Sequence, residues 1–121
     1  MPSPRSRIGR SAEIAAAAEL GRRGYRIITS NYRCRYGEID LIANDGDSLV
    51  FVEVRCKRNT AFGTPAESIT PAKQRKLIIT AQHYLQMIGS ADINCRFDVV
   101  EVVSVDGKLH VSQIIQNAFT L

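Results

Sequence analysis

The four residues Asn44-Asp45-Gly46-Asp47 constrain this chain more than any others. Asp-Gly between two apolar runs is a hairpin signal, because tight turns need positive φ and glycine adopts it at no steric cost. The runs are residues 38–43 and 49–56, so two antiparallel strands are predicted there. Centring the turn on Asp45-Gly46 places Ile42 opposite Leu49, Asp40 opposite Phe51 and Glu38 opposite Glu53. Opposed residues share a face, so Glu38, Asp40, Glu53 and Arg55 are expected to point the same way. Asp40 and Glu53 then stand diagonally, roughly 7–8 Å apart at the backbone.

Leu49 and Phe51 fall on that same face, and Val50, Val52 and Val54 line the other. A strand apolar on both faces is interior, so Glu53 is expected to be at least partly buried. A buried carboxylate beside a second one is costly. A shared divalent cation relieves the cost, and so does an ion pair from Glu53 to Arg55 or Arg58. The strand pattern admits both.

Around this hairpin the chain predicts a helix over 8–23, a strand over 25–33, a loop over 59–69, a second helix, and strands over Asn94–Val105 and 109–115. Thr70 is the expected N-cap of the second helix, Pro71 its first residue and Gly89 its stop, with Leu77, Ile78, Ala81, Leu85 and Ile88 as the apolar stripe. Asp106-Gly107 marks a second hairpin. The order α-β-β-β-α-β-β predicts an α/β fold, a mixed central sheet of about five strands flanked by two main helices. With 121 residues the chain is expected to form one domain over 8–121, preceded by a flexible basic tail over 1–7.

At 100° per residue Glu13 lies about 20° from Leu20, so it faces the sheet if Leu20 does. Lys73 and Gln74 sit at the N-terminal end of the second helix, where free N–H groups favour anions. His83 and Tyr84 read as packing or surface residues. The net charge of +4 is uneven. Residues 1–35 hold eight arginines against two glutamates, a net of +6, which leaves −2 to the rest. That excess fits a polyanion partner, and equally a solvated helix face.

Three cysteines without a CxxC pair and two distant histidines, His83 and His110, give little support to a zinc site. No apolar run is long enough to span a membrane, and the opening MPSPRSRIGR lacks the apolar region of a signal peptide. A cytoplasmic location is expected, with no membrane partner and no organic cofactor.

Glu13 in a first helix, then GEID (37–40), VFVEVR (50–55), a Lys/Gln-bearing helix and RFDVV (96–100) form an ordered set. The set resembles the PD-(D/E)xK nuclease superfamily, with its restriction-endonuclease-like fold. More closely it resembles the YraN-like family of small bacterial proteins, distantly similar to archaeal Holliday junction resolvases. The resemblance covers residues 10–103. It implies a metal-dependent endonuclease-like hydrolase acting on DNA, with Mg²⁺ or Mn²⁺ as cofactor. Asp40 and Glu53 fall on the superfamily's metal-binding carboxylates, Glu13 on the acidic residue of the first helix, and Arg55 on the lysine of ExK. Arginine keeps the charge but cannot plausibly act as a base, so it becomes a phosphate clamp, and Lys57 or Lys73 could supply the missing amine. Arg5, Arg7, Arg10, Arg33, Arg35, Lys57, Arg58, Lys73 and Gln74 are the expected nucleic-acid contacts. The alternative reading is an inactive nucleic-acid-binding or scaffolding protein on the same fold. A homodimer is left open.

Overall fold

A computed structural model describes residues 4–57, 69–90 and 92–120, with side chains from Gly9 onward. Two helices and five strands follow in the order α1 (Pro4–Arg22), β1 (Arg26–Cys34), β2 (Gly37–Asp45), β3 (Ser48–Cys56), α2 (Pro71–Ile88), β4 (Asn94–Val105) and β5 (Lys108–Phe119). This is the α/β order expected. The strands lie in sequence order in one sheet, β1-β2-β3-β4-β5. All neighbours are antiparallel except β3 and β4, which run parallel over nine residue pairs and are linked by the segment that carries α2. The loop expected over 59–69 lies outside the described residues up to 68.

Turn chemistry sets the register. Asp45 pairs with Ser48, so the β2–β3 turn is Gly46-Asp47, with Gly46 at φ 59 in the first central position. The centre is one residue later than expected, which shifts the register by two. Ile42 therefore meets Phe51 rather than Leu49, and Glu38 does not meet Glu53. A shift of two preserves which residues share a face on each strand. In the β4–β5 hairpin Asp106 and Gly107 both take positive φ, 52 and 77, as a type I′ turn demands.

α2 begins and ends where local chemistry dictates. Thr70 Oγ1 accepts from Lys73 N at 3.1 Å, Pro71 follows, and Gly89 closes the helix at φ 73. Leu77, Thr80, Ala81 and Tyr84 are its buried residues. Ile88, expected on the apolar stripe, is exposed, because the stripe drifts away from the sheet in the last turn. α1 starts at Pro4 rather than residue 8, since proline is well tolerated in a first helical turn. Among the described residues no helix is long and apolar enough to cross a membrane.

Each helix covers one face of the sheet. Ala12, Ala16 and Leu20 of α1 pack on Leu41, Ala43, Val50, Val52, Val100 and Val102. Leu77, Ala81 and Tyr84 of α2 pack on Ile39, Ile42, Leu49, Phe51, Phe97 and Val99. β3 is thus buried on both sides, as its sequence demands.

The RFDVV segment serves the fold. Asp98 is fully buried and accepts from Tyr25 Oη at 2.8 Å, Arg96 Nε at 2.9 Å and Asn117 N at 3.0 Å. Arg96 also reaches Asp45 Oδ2 at 2.7 Å. Phe97 pairs with Phe119 and Val99 with Ile115, so β5 carries two extra residues opposite Asp98. The carboxylate supplies an acceptor that the interrupted ladder lacks, and β5 extends four residues past the expected 115. Replacing Asp98 by Ala removes the acceptor shared by Tyr25, Arg96 and the Asn117 amide, and leaves Arg96 with Asp45 as its remaining carboxylate. Asp98→Ala is expected to cost roughly 3–5 kcal/mol of unfolding free energy in urea titration. A loss below about 1 kcal/mol would contradict this role.

Candidate metal centre

β2 and β3 part company at the site. Their pairing runs from Asp45↔Ser48 to Leu41↔Val52 and stops. Beyond it β2 continues against β1 as far as Cys34↔Gly37, and β3 continues against β4 as far as Cys56↔Val102. Asp40 is the first residue past the last β2–β3 pair. Its Oδ2 accepts from Val54 N at 2.8 Å, which satisfies an amide that the diverging strand leaves without a ladder partner.

The divergence also breaks the alternation of β2. Ile39 and Ile42 pack toward α2, whereas Leu41 and Ala43 pack toward α1. Glu38, Asp40, Glu53 and Arg55 therefore do not share one face as expected. Glu38 joins Glu13 of α1. Glu53 stays on the opposite side with Phe51, next to α2. Asp40 stands between the two groups.

Glu13, Glu38 and Asp40 each place a carboxylate oxygen within 4.8 Å of the others. They line a cleft of about 680 Å³ together with Gly9, Arg10, Asn31 and Arg33. Arg33 Nε lies 3.4 Å from Glu38 Oε1 across the β1–β2 pair. Burial, reinforced by the charge of Asp40, pushes Glu13 from its ordinary value of 4.5 to about 7, and a hydrogen bond from Asn31 opposes the rise. Burial and then Asp40 push Glu53 to about 8, despite Lys73 Nζ at 3.3 Å and Arg55 Nε at 4.0 Å from Glu53 Oε2. Desolvation and like charge outweigh both cations.

The expected site residues thus divide. Glu13 and Asp40 come together, Glu53 adjoins Asp40, and Arg55 and Lys73 both flank Glu53. Lys73 reaches in from α2 as the sequence allowed. Glu38, two residues before Asp40, completes the group of three, and the alternation of acidic residues in GEID is the sequence signal for it. Arg10 and Arg33 line the acidic cleft, and Arg35 lies against Tyr36. Lys57 Nζ sits 3.9 Å from Glu101 Oε1, and Gln74 Nε2 donates to Ile69 O at 3.1 Å. Arg58 lies outside the described residues, as do the side chains of Arg5 and Arg7.

Three hard oxygen donors suit Mg²⁺ or Mn²⁺ rather than a softer ion. Neighbouring oxygens around Mg²⁺ are roughly 3 Å apart, given bonds of about 2.0–2.1 Å, so the three side chains need only small movements to share one ion. Glu13 and Glu53 are raised first by burial and then by the neighbouring charge of Asp40. The residues fit a divalent cation.

An α/β fold with a carboxylate cleft where two central strands diverge defines the class of protein. Residues 12–102 match the family described as Uncharacterised protein family UPF0102, and the chain belongs to that family. It is 54% identical over 114 residues to a UPF0102 protein of Symbiobacterium thermophilum, covering 93% of this chain and 96% of that one. A UPF0102 protein of Nitrosococcus oceani is 54% identical over 100 residues, 82% of this chain and 81% of the relative. One from Moorella thermoacetica is 45% identical over 121 residues, 98% of this chain and all of the relative. This is the small bacterial family to which the motifs pointed.

The two raised carboxyls give a pH dependence. Between their ordinary value and about 7–8 the folded protein holds protons that the unfolded chain releases. The stability they contribute is fully present below about 4.5 and is lost as pH rises through about 7 and 8. Denaturant titration in chelator should show the protein less stable at pH 8 than at pH 5. Glu53→Gln should flatten the fall and stabilise the protein at pH 8 by roughly 1–3 kcal/mol. Wild type that gains stability over this range would rule the reading out.

Proposed function

We propose that the protein is a divalent-metal-dependent nuclease that hydrolyses phosphodiester bonds, with DNA as substrate. The observation that carries this is the group of three carboxylates from α1 and β2 in a cleft lined by Arg10 and Arg33. Asp98 is surrounded by donors, whereas these three carboxylates converge on one another and, among the described residues, only Glu38 has a cation at hand, Arg33.

Glu13, Glu38 and Asp40 would hold the ion, with Glu53 beside Asp40 as a further acidic group. A bound Mg²⁺ or Mn²⁺ supplies Lewis acidity, which acidifies water and offsets charge on phosphate oxygens. Arg10 and Arg33 attract the backbone into the cleft, where side chains of both signs orient it. Arg55 retains a permanent charge at the ExK lysine position and can hold a phosphate oxygen, but it cannot exchange a proton near neutral pH. Lys73 brings an amine to Glu53 from α2 and takes over the part that the ExK lysine plays in the resembled nucleases.

Calorimetric titration with Mn²⁺ should show one site that Asp40→Asn weakens strongly. Cleavage of DNA should require Mn²⁺ or Mg²⁺ and fall roughly 100-fold or more in Asp40→Asn. Lys73→Met should lower the rate, and adding Arg55→Lys to that variant should recover part of it. Arginine at residue 55 favours one rival, the inactive nucleic-acid-binding protein. Absence of divalent-dependent cleavage of single-stranded, duplex and branched DNA and of RNA would establish that rival instead.

A further inference from the structure

Tyr36 is a large aromatic side chain left 40% exposed, yet it is braced on several sides. It occupies the two-residue β1–β2 turn, Arg35-Tyr36, between the paired Cys34 and Gly37. The Arg35 guanidinium lies 4.8 Å from the Tyr36 ring centroid and donates to Tyr36 Oη at 2.6 Å. The His83 ring of α2 meets Tyr36 edge-on at 6.1 Å. His83 is held in turn by Tyr32, whose hydroxyl bonds to His83 Nδ1 at 2.5 Å, and Tyr32 packs edge-on against the buried Tyr84 at 5.1 Å.

Gly37 permits this arrangement. A Cβ there would lie 3.0 Å from Thr80 Oγ1 and 3.9 Å from Lys76 O, so the turn packs directly on α2. Lys76 is itself exposed on that helix, and Arg33 is exposed on β1. A braced aromatic ring thus projects beside the Arg35 guanidinium, with exposed Lys76 on the helix that the turn packs against and exposed Arg33 two residues before Arg35. It stands four residues along the strand from Asp40, roughly 13 Å away if the strand is fully extended.

We propose that Tyr36 is a stacking platform for an unpaired base of single-stranded nucleic acid, whose phosphates are held by Arg33, Arg35 and Lys76. The inference rests on the nucleic-acid reading above but not on catalysis. Bases within a duplex already stack on one another, so a projecting ring selects unpaired ones. Bracing through His83 and Tyr32 removes most of the ordering cost that a mobile tyrosine would incur on binding. The charge of the surroundings suits a polyanion, and the ring gives what charge alone cannot, a contact with the base.

The chain contains no tryptophan, so Tyr36→Trp introduces a single indole at the platform. Its emission is measured in EDTA, where cleavage is absent, so the result is independent of whether the enzyme reading holds. An oligothymidylate should quench the emission strongly, duplex DNA weakly, and heparin, a polyanion without bases, not at all. Fluorescence anisotropy with labelled oligothymidylate supplies a second measurement that needs no indole. Tyr36→Ala should weaken binding roughly 5- to 100-fold, while Tyr36→Phe stays near wild type. Quenching absent with oligothymidylate, or equal with heparin or duplex, overturns the proposal. So does unchanged single-strand affinity in Tyr36→Ala.

Discussion

The bond from Val54 N to the Asp40 carboxylate is the contact on which the site depends. Where β2 leaves β3, a central strand would otherwise carry an amide without a partner, and a buried one is costly. Asp40 closes that gap with a side chain instead of a carbonyl. The strands can then splay, and the wedge between them admits Glu13 from one helix and Lys73 from the other. Had the ladder continued, Asp40 would have been pinned to one face and the two helices would have met different sides of an unbroken sheet.

Two acidic clusters in the same small core show how structure separates a carboxylate whose charge is met by donors from one whose charge is disfavoured. Asp98 is fully buried, and hydroxyl, guanidinium and amide donors converge on it. Glu53 is nearly as buried and has two cations at hand, yet its proton affinity rises, first through burial and then through the charge of Asp40. The first pattern strengthens a β-bulge. The second resists the fold, because burial and like charge both disfavour the ionised Glu53.

Local chemistry was legible in the sequence, and distant contacts were not. Thr70-Pro71 and Gly89 bounded α2 because caps and proline act within one turn. Asp106-Gly107 placed the last hairpin for the same reason. Asn44-Asp45-Gly46-Asp47 offers two adjacent glycine-containing centres, and the one that puts Gly46 first wins. The face assignment of β3 survived because side chains repeat every second residue. The break in β2 at Asp40 was hidden, since it arises from divergence between strands rather than from residue preference. It turned Glu38 toward α1 and so set the membership of the carboxylate group. The end of β5 was hidden likewise, because it depends on Asp98 reaching Asn117 nineteen residues later. Tyr36 and His83 are far apart in the chain, and only α2 packing on the first turn brings them together.

The alanines of α1 have a geometric consequence for the site. Ala12 and Ala16 are buried at 1% and 0% exposure, and each presents only a methyl group to the sheet. Side chains this short let the helix axis approach closely, and Glu13 rides on the same turn. The thickness of that layer therefore sets how far the glutamate reaches into the wedge. A larger residue at Ala16 would act as a shim, lifting Glu13 away from Asp40 and Glu38 while leaving every acidic residue in place. In this protein the calibration of a charged site is entrusted to two methyl groups that never touch it.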